Sequence, residues 1–149
     1  MKRIVFFVAL LTLIAGMSAF AGGGRDARAE GEQRVAIAMT PLTNPFHRTM
    51  YRMIREEIET ARRTHPHVRF TVYHNADTET QVNNMELILN GNYDGVLVST
   101  FDGVLMAEPT ARIHRTGTKV VVINRMLETQ EWDAFVSGDN VQGGRNVAR

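Results

Sequence analysis

The sequence predicts an α/β fold, an open and mostly parallel sheet with helices on both faces. Three observations predict it. The apolar run at residues 35–39 (VAIAM) is too continuous for a strand wetted on one side, which suits a central strand covered on both faces, and short runs at 95–99 (GVLVS) and 119–123 (KVVVI) give further strands. Segments of helical period separate them, and each strand-plus-helix unit takes about 25–35 residues, the rhythm of consecutive βαβ crossovers. The length of 149 residues, with 44% hydrophobic residues, suits one domain with a real core.

The elements follow in order. Residues 35–39 form the first strand, and 40–45 (TPLTNP) have loop chemistry. From Phe46 to about Thr64 the residues Phe46, Met50, Met53, Ile54, Ile58 and Ala61 fall on one helical stripe, opposite Arg48, Arg52, Glu56 and Glu59. His65-Pro66 ends that helix, because a residue preceding proline avoids helical geometry. Residues 68–74 alternate Val68, Phe70 and Val72 with Arg69, Thr71 and Tyr73, a strand with one wetter face and so one nearer the sheet edge. Thr78-Glu79-Thr80-Gln81 matches a capping box, with Thr78 as N-cap and Gln81 reaching back. Val82, Met85, Ile88 and Leu89 continue the helix, and Gly91 stops it. After the third strand comes a helix over 104–116, with Pro109 in its first turn and Gly117 closing it. The fourth strand, a loop over 124–133, a short strand over 134–137 and a helix capped by Asp139 or Asn140 complete the order. That last helix has barely two turns before Arg149 and no stop signal, so the expectation is a piece of a longer protein.

Residues 1–21 carry a basic start (Met1-Lys2-Arg3), an apolar run over 4–14 and a small-residue stretch ending Ala19-Phe20-Ala21. These are the three regions of a cleavable export signal in their proper order. The competing reading is a membrane anchor over 4–21, a length at the lower limit for crossing a bilayer. Cleavage leaves a chain that does not span a membrane, and residues 22–33 (GGGRDARAEGEQ) read as a flexible lead-in. The full-chain net charge is +1, and removal of Lys2 and Arg3 leaves 15 basic against 16 acidic residues. That balance excludes a general nucleic-acid binder. The absence of cysteine excludes disulfides, thiolate metal sites and a cysteine nucleophile.

In an open parallel sheet ligands bind beyond the carboxyl ends of the strands. The loops there begin at Thr40, Asn75, Thr100 and Asn124. The first holds Asn44, Pro45, Phe46 and His47; the fourth holds Asn124-Arg125. A ring with planar amide and guanidinium groups suits a small hydroxyl-rich ligand, whose C–H face packs on the ring while its hydroxyls pair with the polar groups. By themselves these residues read equally as a first core position and a turn former.

The ordered set is more specific. Residues 35–39, Thr43-Asn44-Pro45-Phe46, Asp77 with Gln81, the segment 92–98 (NYDGVLV), Thr116-Gly117, Asn124-Arg125 and Gly138-Asp139-Asn140 together resemble the periplasmic sugar-binding proteins of the ribose/galactose type, over about residues 34–149. The resemblance implies a type I periplasmic binding fold of two lobes that closes on a monosaccharide and serves an ABC importer permease or a chemoreceptor in the periplasm. It implies an N-terminal lobe over 34–139 and the start of a second lobe over 140–149. Asn44 matches the residue that binds sugar hydroxyls, and Phe46 the ring that packs on the sugar. His47 stands where ribose binders often have a second aromatic, so stacking there is altered. Asn124 and Arg125 match the pair after the fourth strand. Asn124 departs from the ribose-type Asp and agrees with galactose/glucose-type proteins, which leaves hexoses open. Asp139 matches the hinge where the chain leaves the first lobe. A sugar-sensing domain of a signalling receptor is the alternative, since it shares the fold. A repressor's effector domain shares it too, but here an export signal replaces the DNA-binding head.

No catalytic residue, cofactor or metal site is expected. No serine elbow, G-K-[ST] motif or G-x-G-x-x-G after the first strand occurs. His65 and His67 flank a proline with no clustered third ligand. His74 and His114 stand alone in the sequence, Asp102-Gly103 reads as a turn, and Trp132 as cover for the sheet edge.

Overall fold

The computed structural model describes residues 30–147. The export signal expected over 1–21 lies outside them, as does most of the lead-in expected over 22–33. Strand β1 (Gln33–Ala38) is followed by α1 (Pro45–Thr64), β2 (Val68–Tyr73), α2 (Thr78–Asn90), β3 (Gly95–Ser99), α3 (Ala107–Arg115), β4 (Lys119–Ile123), β5 (Ala134–Val136) and α4 (Asn140–Val147). β1 starts inside the expected lead-in, because Gln33 pairs with Val68 and its N–H donates to the His67 carbonyl at 3.0 Å. Backbone pairing thus extends beyond the apolar run that marks the strand in sequence.

The sheet order is β2-β1-β3-β4-β5, and all four strand pairs are parallel. The chain steps outward from β1 to β2, then reverses across β1 to β3 and continues to β5. Right-handed crossovers convert that reversal into two covered faces, with α1 on one and α2 and α3 on the other. The alternation of β1 follows: Ala36 and Ala38 join Met85, Ile88, Ile113 and Val98 in one core, while Ile37 and Met39 join Ile58 in the other. β2 is an edge strand, as its alternation predicts. The link from β4 to β5 carries no helix; Leu127, 4% exposed, and Trp132 anchor it against the first core. The Trp132 indole N–H donates to the Thr129 carbonyl at 2.9 Å, which satisfies its polar edge.

Helix ends depart from the sequence reading in physical detail. Asp77, not Thr78, is the N-cap of α2; its backbone is extended and its Oδ1 accepts from the Thr80 N–H at 2.7 Å. A carboxylate is the stronger acceptor for an unsatisfied helix N–H. Gln81 does not reach back. It is fully buried, and its Nε2 donates to the Ser99 carbonyl at 2.7 Å. α3 starts at Ala107, not 104, because Asp102 Oδ1 accepts from Val104 N–H at 2.9 Å and Leu105 N–H at 3.0 Å, which closes a turn first. Gly117 takes the left-handed conformation (φ +89) after α3. After α2 the left-handed residue is Asn92 (φ 55), whereas Gly91 is right-handed (φ −84).

Candidate functional site

The reversal of strand order lies between β1 and β3, so their carboxyl ends diverge into loops that leave a crevice. Four loops border that edge, and hydrogen bonds hold them in place. After β1, the Asn75 amide donates to the Met39 carbonyl and in turn accepts from Asn84 Nδ2 at 2.7 Å. Arg48 Nη1 donates back to the Leu42 and Thr43 carbonyls at 3.2 and 3.3 Å. Asn44 has extended backbone (φ −118, ψ 161), its Oδ1 accepts from the His47 N–H at 2.9 Å, and Pro45 opens α1. This is N-capping, which satisfies a helix-end donor while fixing the entry angle of the chain.

That entry angle separates the next two rings. Phe46 points outward and is 58% exposed, whereas His47 is buried, with Nδ1 bonded to the Pro41 carbonyl at 3.1 Å. The His47 ring sits edge-on between Phe46 and Phe101, at centroid distances of 5.7 and 6.5 Å. Phe101 lies in the loop after β3 and is 48% exposed. The Arg125 guanidinium carbon lies over the Phe101 ring, 5.7 Å from its centroid.

The loops after β3 and β4 are locked together. Gly103 O accepts from Glu128 N–H at 3.0 Å, and a Cβ at Gly103 would come within 2.5 Å of the Met126 carbonyl. Only glycine permits that approach. Asn124 is left-handed (φ 71); its N–H donates to the Val136 carbonyl at 2.9 Å, and its own carbonyl accepts from Ser137 Oγ at 3.3 Å. A left-handed residue directly after β4 turns the chain and presents Arg125 at the edge. Asp77, at the foot of α2 on the same side, is held below the usual carboxylate range by the Thr80 N–H.

Of the residues predicted from sequence, the structure links Asn44, Phe46, His47 and Arg125 through contacts, with Phe101 as the bridge to Arg125. Asn124 adjoins Arg125, and its backbone bonds run to Val136 and Ser137. Asp139 sits apart, accepting from Gln142 N–H at 2.8 Å as the cap of α4. Phe101 is the residue the sequence reading missed. The available signal was an aromatic one position after Thr100, in the third ligand-edge loop. Beneath the crevice, Thr40 Oγ1, Ser99 Oγ and Gln81 Oε1 are buried with no hydrogen-bond partner among the described residues. His74 is paired, its Nε2 bonding Tyr51 Oη at 3.0 Å, and His114 Nε2 lies 3.6 Å from Asp133. Among the described residues, no group of three or more His, Cys, Asp or Glu is arranged to hold a metal ion.

Residues 35–149 match the model of the periplasmic binding protein domain. No curated protein matches the sequence. Among solved structures, the chain is similar to a fructose-binding periplasmic domain of a hybrid two-component system (TM-score 0.67, 16% identity, covering 78% of this chain and 37% of that one). It is similar to a periplasmic ribose ABC transporter protein from Conexibacter woesei (TM-score 0.64, 21% identity, 85% and 40% covered). A myo-inositol binding protein from Caulobacter, solved with myo-inositol, gives a TM-score of 0.64 at 22% identity, with 85% and 41% covered. The chain thus spans about 40% of the length of these structures. At such identities the likeness shows a shared fold, the type I periplasmic binding fold.

Proposed function

Because the chain belongs to the periplasmic binding protein domain family, we propose that its β1/β3 edge binds a monosaccharide on behalf of an ABC-type importer. The observation that carries this reading is the exposure, at the carboxyl edge of a parallel sheet, of Phe46 and Phe101, which both contact the His47 ring, and of Arg125 over Phe101. An aromatic ring takes the C–H face of a sugar, and a guanidinium offers a planar fork of donors to its hydroxyls. Each hydrogen bond to a charged group contributes about 1.5–3 kcal/mol net. Three or four such bonds with one stacked ring reach the roughly −8 kcal/mol of micromolar affinity. Asn44 adds its amide nitrogen while its oxygen caps α1, and Asn124 adds a second amide. His47 contacts both rings edge-on.

The same proposal includes export through the signal over 1–21, a lobe over 34–139, a hinge at Asp139 and closure by a second lobe. Ligand contacts that form on both sides only in the closed state shift the population toward closure. A sensing role in a signalling receptor is the second reading, favoured by the likeness to the periplasmic domain of a two-component system. Neither role calls for catalytic chemistry.

The test is titration calorimetry of the whole protein with D-ribose, D-galactose, D-glucose and D-fructose. One sugar is expected to bind, and Phe46→Ala and Arg125→Ala are each expected to weaken it tenfold or more, about 1.4 kcal/mol. Unchanged titrations in both variants would remove this edge as the site.

A further inference from the structure

Arg125 lies over a ring, as Arg34 does over Tyr93 and Arg55 over Tyr51, but it stands in a loop at the carboxyl edge of the sheet, whereas Arg34 is in β1 and Arg55 in α1. Arg115 forks onto Glu131, with Nε to Oε2 at 2.7 Å, and also reaches Glu108 at 3.1 Å. Arg112 pairs with Glu86, and Arg48 is spent on two loop carbonyls. Among the described residues the Arg125 guanidinium has no carboxylate and no hydrogen-bond acceptor; what it has is the face of Phe101, 5.7 Å from the ring centroid. An ion pair would fix the guanidinium and consume its donors. A ring fixes it through the negative π-face and leaves all five N–H groups available.

Phe101 is itself held for this. Thr100 Oγ1 donates to the Asp102 carbonyl at 2.8 Å and accepts from the Asp102 N–H at 3.1 Å, which braces the backbone on both sides of Phe101. The buried His47 ring abuts Phe101 nearly perpendicular, at 85°. His47 is 6% exposed and offers no open face, so Phe101 is the second exposed ring of the edge beside Phe46.

We propose that Phe101 is a positioning and specificity-determining residue of this site: it holds the Arg125 guanidinium in place with its donors unspent and turned toward a hydroxyl-bearing ligand. The inference rests on the monosaccharide reading for its ligand, but not for the positioning itself. Phe101→Leu keeps an apolar side chain of similar reach and removes the π-face, whereas Phe101→Tyr retains it.

Two readouts on the whole protein separate the two claims. In NMR spectra of the ligand-free protein, the Arg125 side-chain Nε–H and Hδ signals are expected upfield from the ring current, to move to ordinary positions in Phe101→Leu, and to stay upfield in Phe101→Tyr. In titration with the sugar panel, Phe101→Leu is expected to weaken binding about two- to fivefold, the range of an exposed cation–π contact, with Phe101→Tyr restoring it. Arg125 signals that do not respond to Phe101→Leu overturn the proposal, as does an affinity unchanged by that variant. If the wild-type protein binds no monosaccharide, the functional reading above fails, and the Arg125 signals alone decide whether Phe101 holds the guanidinium.

Discussion

Asp133 shows how much one exposed-loop carboxylate can organise. Its Oδ1 accepts from Lys119 Nζ at 2.8 Å, its Oδ2 from the Val120 N–H at 2.8 Å, and His114 Nε2 stands 3.6 Å away. The residue just before β5 is thereby fastened to the start of β4. The hydrogen bond from Lys119, then the one from Val120, holds this carboxyl below the usual carboxylate range. A pKa lowered by folding means that the folded form favours the ionised group. The resulting stability is complete above the unfolded-state value, about pH 4, and is lost as pH falls through the lower folded value. Glu131, held low by Arg115, adds in the same direction over the same acid range. Asp133→Asn is therefore expected to lower the urea midpoint at pH 7 and to narrow the gap between the midpoints at pH 7 and pH 3. Equal gaps in wild type and variant would show that Asp133 contributes nothing to acid sensitivity.

Helix ends decide the next scale, and here one carboxylate and one amide outweigh the patterns around them. Asn44 caps α1 and Asp77 caps α2, each through an oxygen that accepts the N–H three residues on. Removing such an acceptor costs about 1 kcal/mol. Asp77→Ala is expected to lose that much in denaturant unfolding, while Thr78→Ala stays within about 0.5 kcal/mol, the ordinary range of surface changes. The reverse ranking would restore Thr78 as the cap. Element type was legible in the sequence, since the α1 stripe and the continuous apolar runs of β3 and β4 carry period and length together. Caps were not, because Asp77 and Thr78 are adjacent and both of cap-forming type, and the extended backbone at Asp77 with its bond from the Thr80 N–H is what separates them. For the candidate site, the placement of Asn44, Phe46, His47 and Arg125 at one edge of the sheet was legible from the loops that hold them. Phe101 was not, since its meaning lies in contacts with His47 and Arg125, remote in sequence, that exist only once β1, β3 and β4 lie side by side.

At the scale of the molecule the two faces of the sheet are unequal, and the topology explains it. Two helices and the β4–β5 link cover one face, where Met85, Ile88, Val98, Ile113, Val120 and Val122 are 2% exposed or less. The single helix α1 covers the other, where Leu97, Val121 and Ile123 stay partly exposed and Met53 is 57% exposed. Between α1 and the sheet an apolar cleft of about 520 Å³ opens, lined by Ile37, Met50, Met53, Ile58, Phe70 and Leu97. Stability and surface stickiness should therefore separate by face. Met85→Ala removes a side chain that is 1% exposed, and is expected to cost about 2–5 kcal/mol through lost burial and a residual cavity. Met53→Glu alters a cleft wall already open to water and is expected to leave the melting temperature nearly unchanged. A neutral apolar dye such as Nile red is expected to fluoresce with the native wild-type protein, because a continuous apolar surface in water gains free energy when covered. Met53→Glu puts a charge beside Glu57 in the same cleft and should cut that fluorescence severalfold at equal stability. Fluorescence that follows Met85→Ala instead would mean the dye reports loosening of the covered core, and the open face would lose its claim to be the exposed apolar surface.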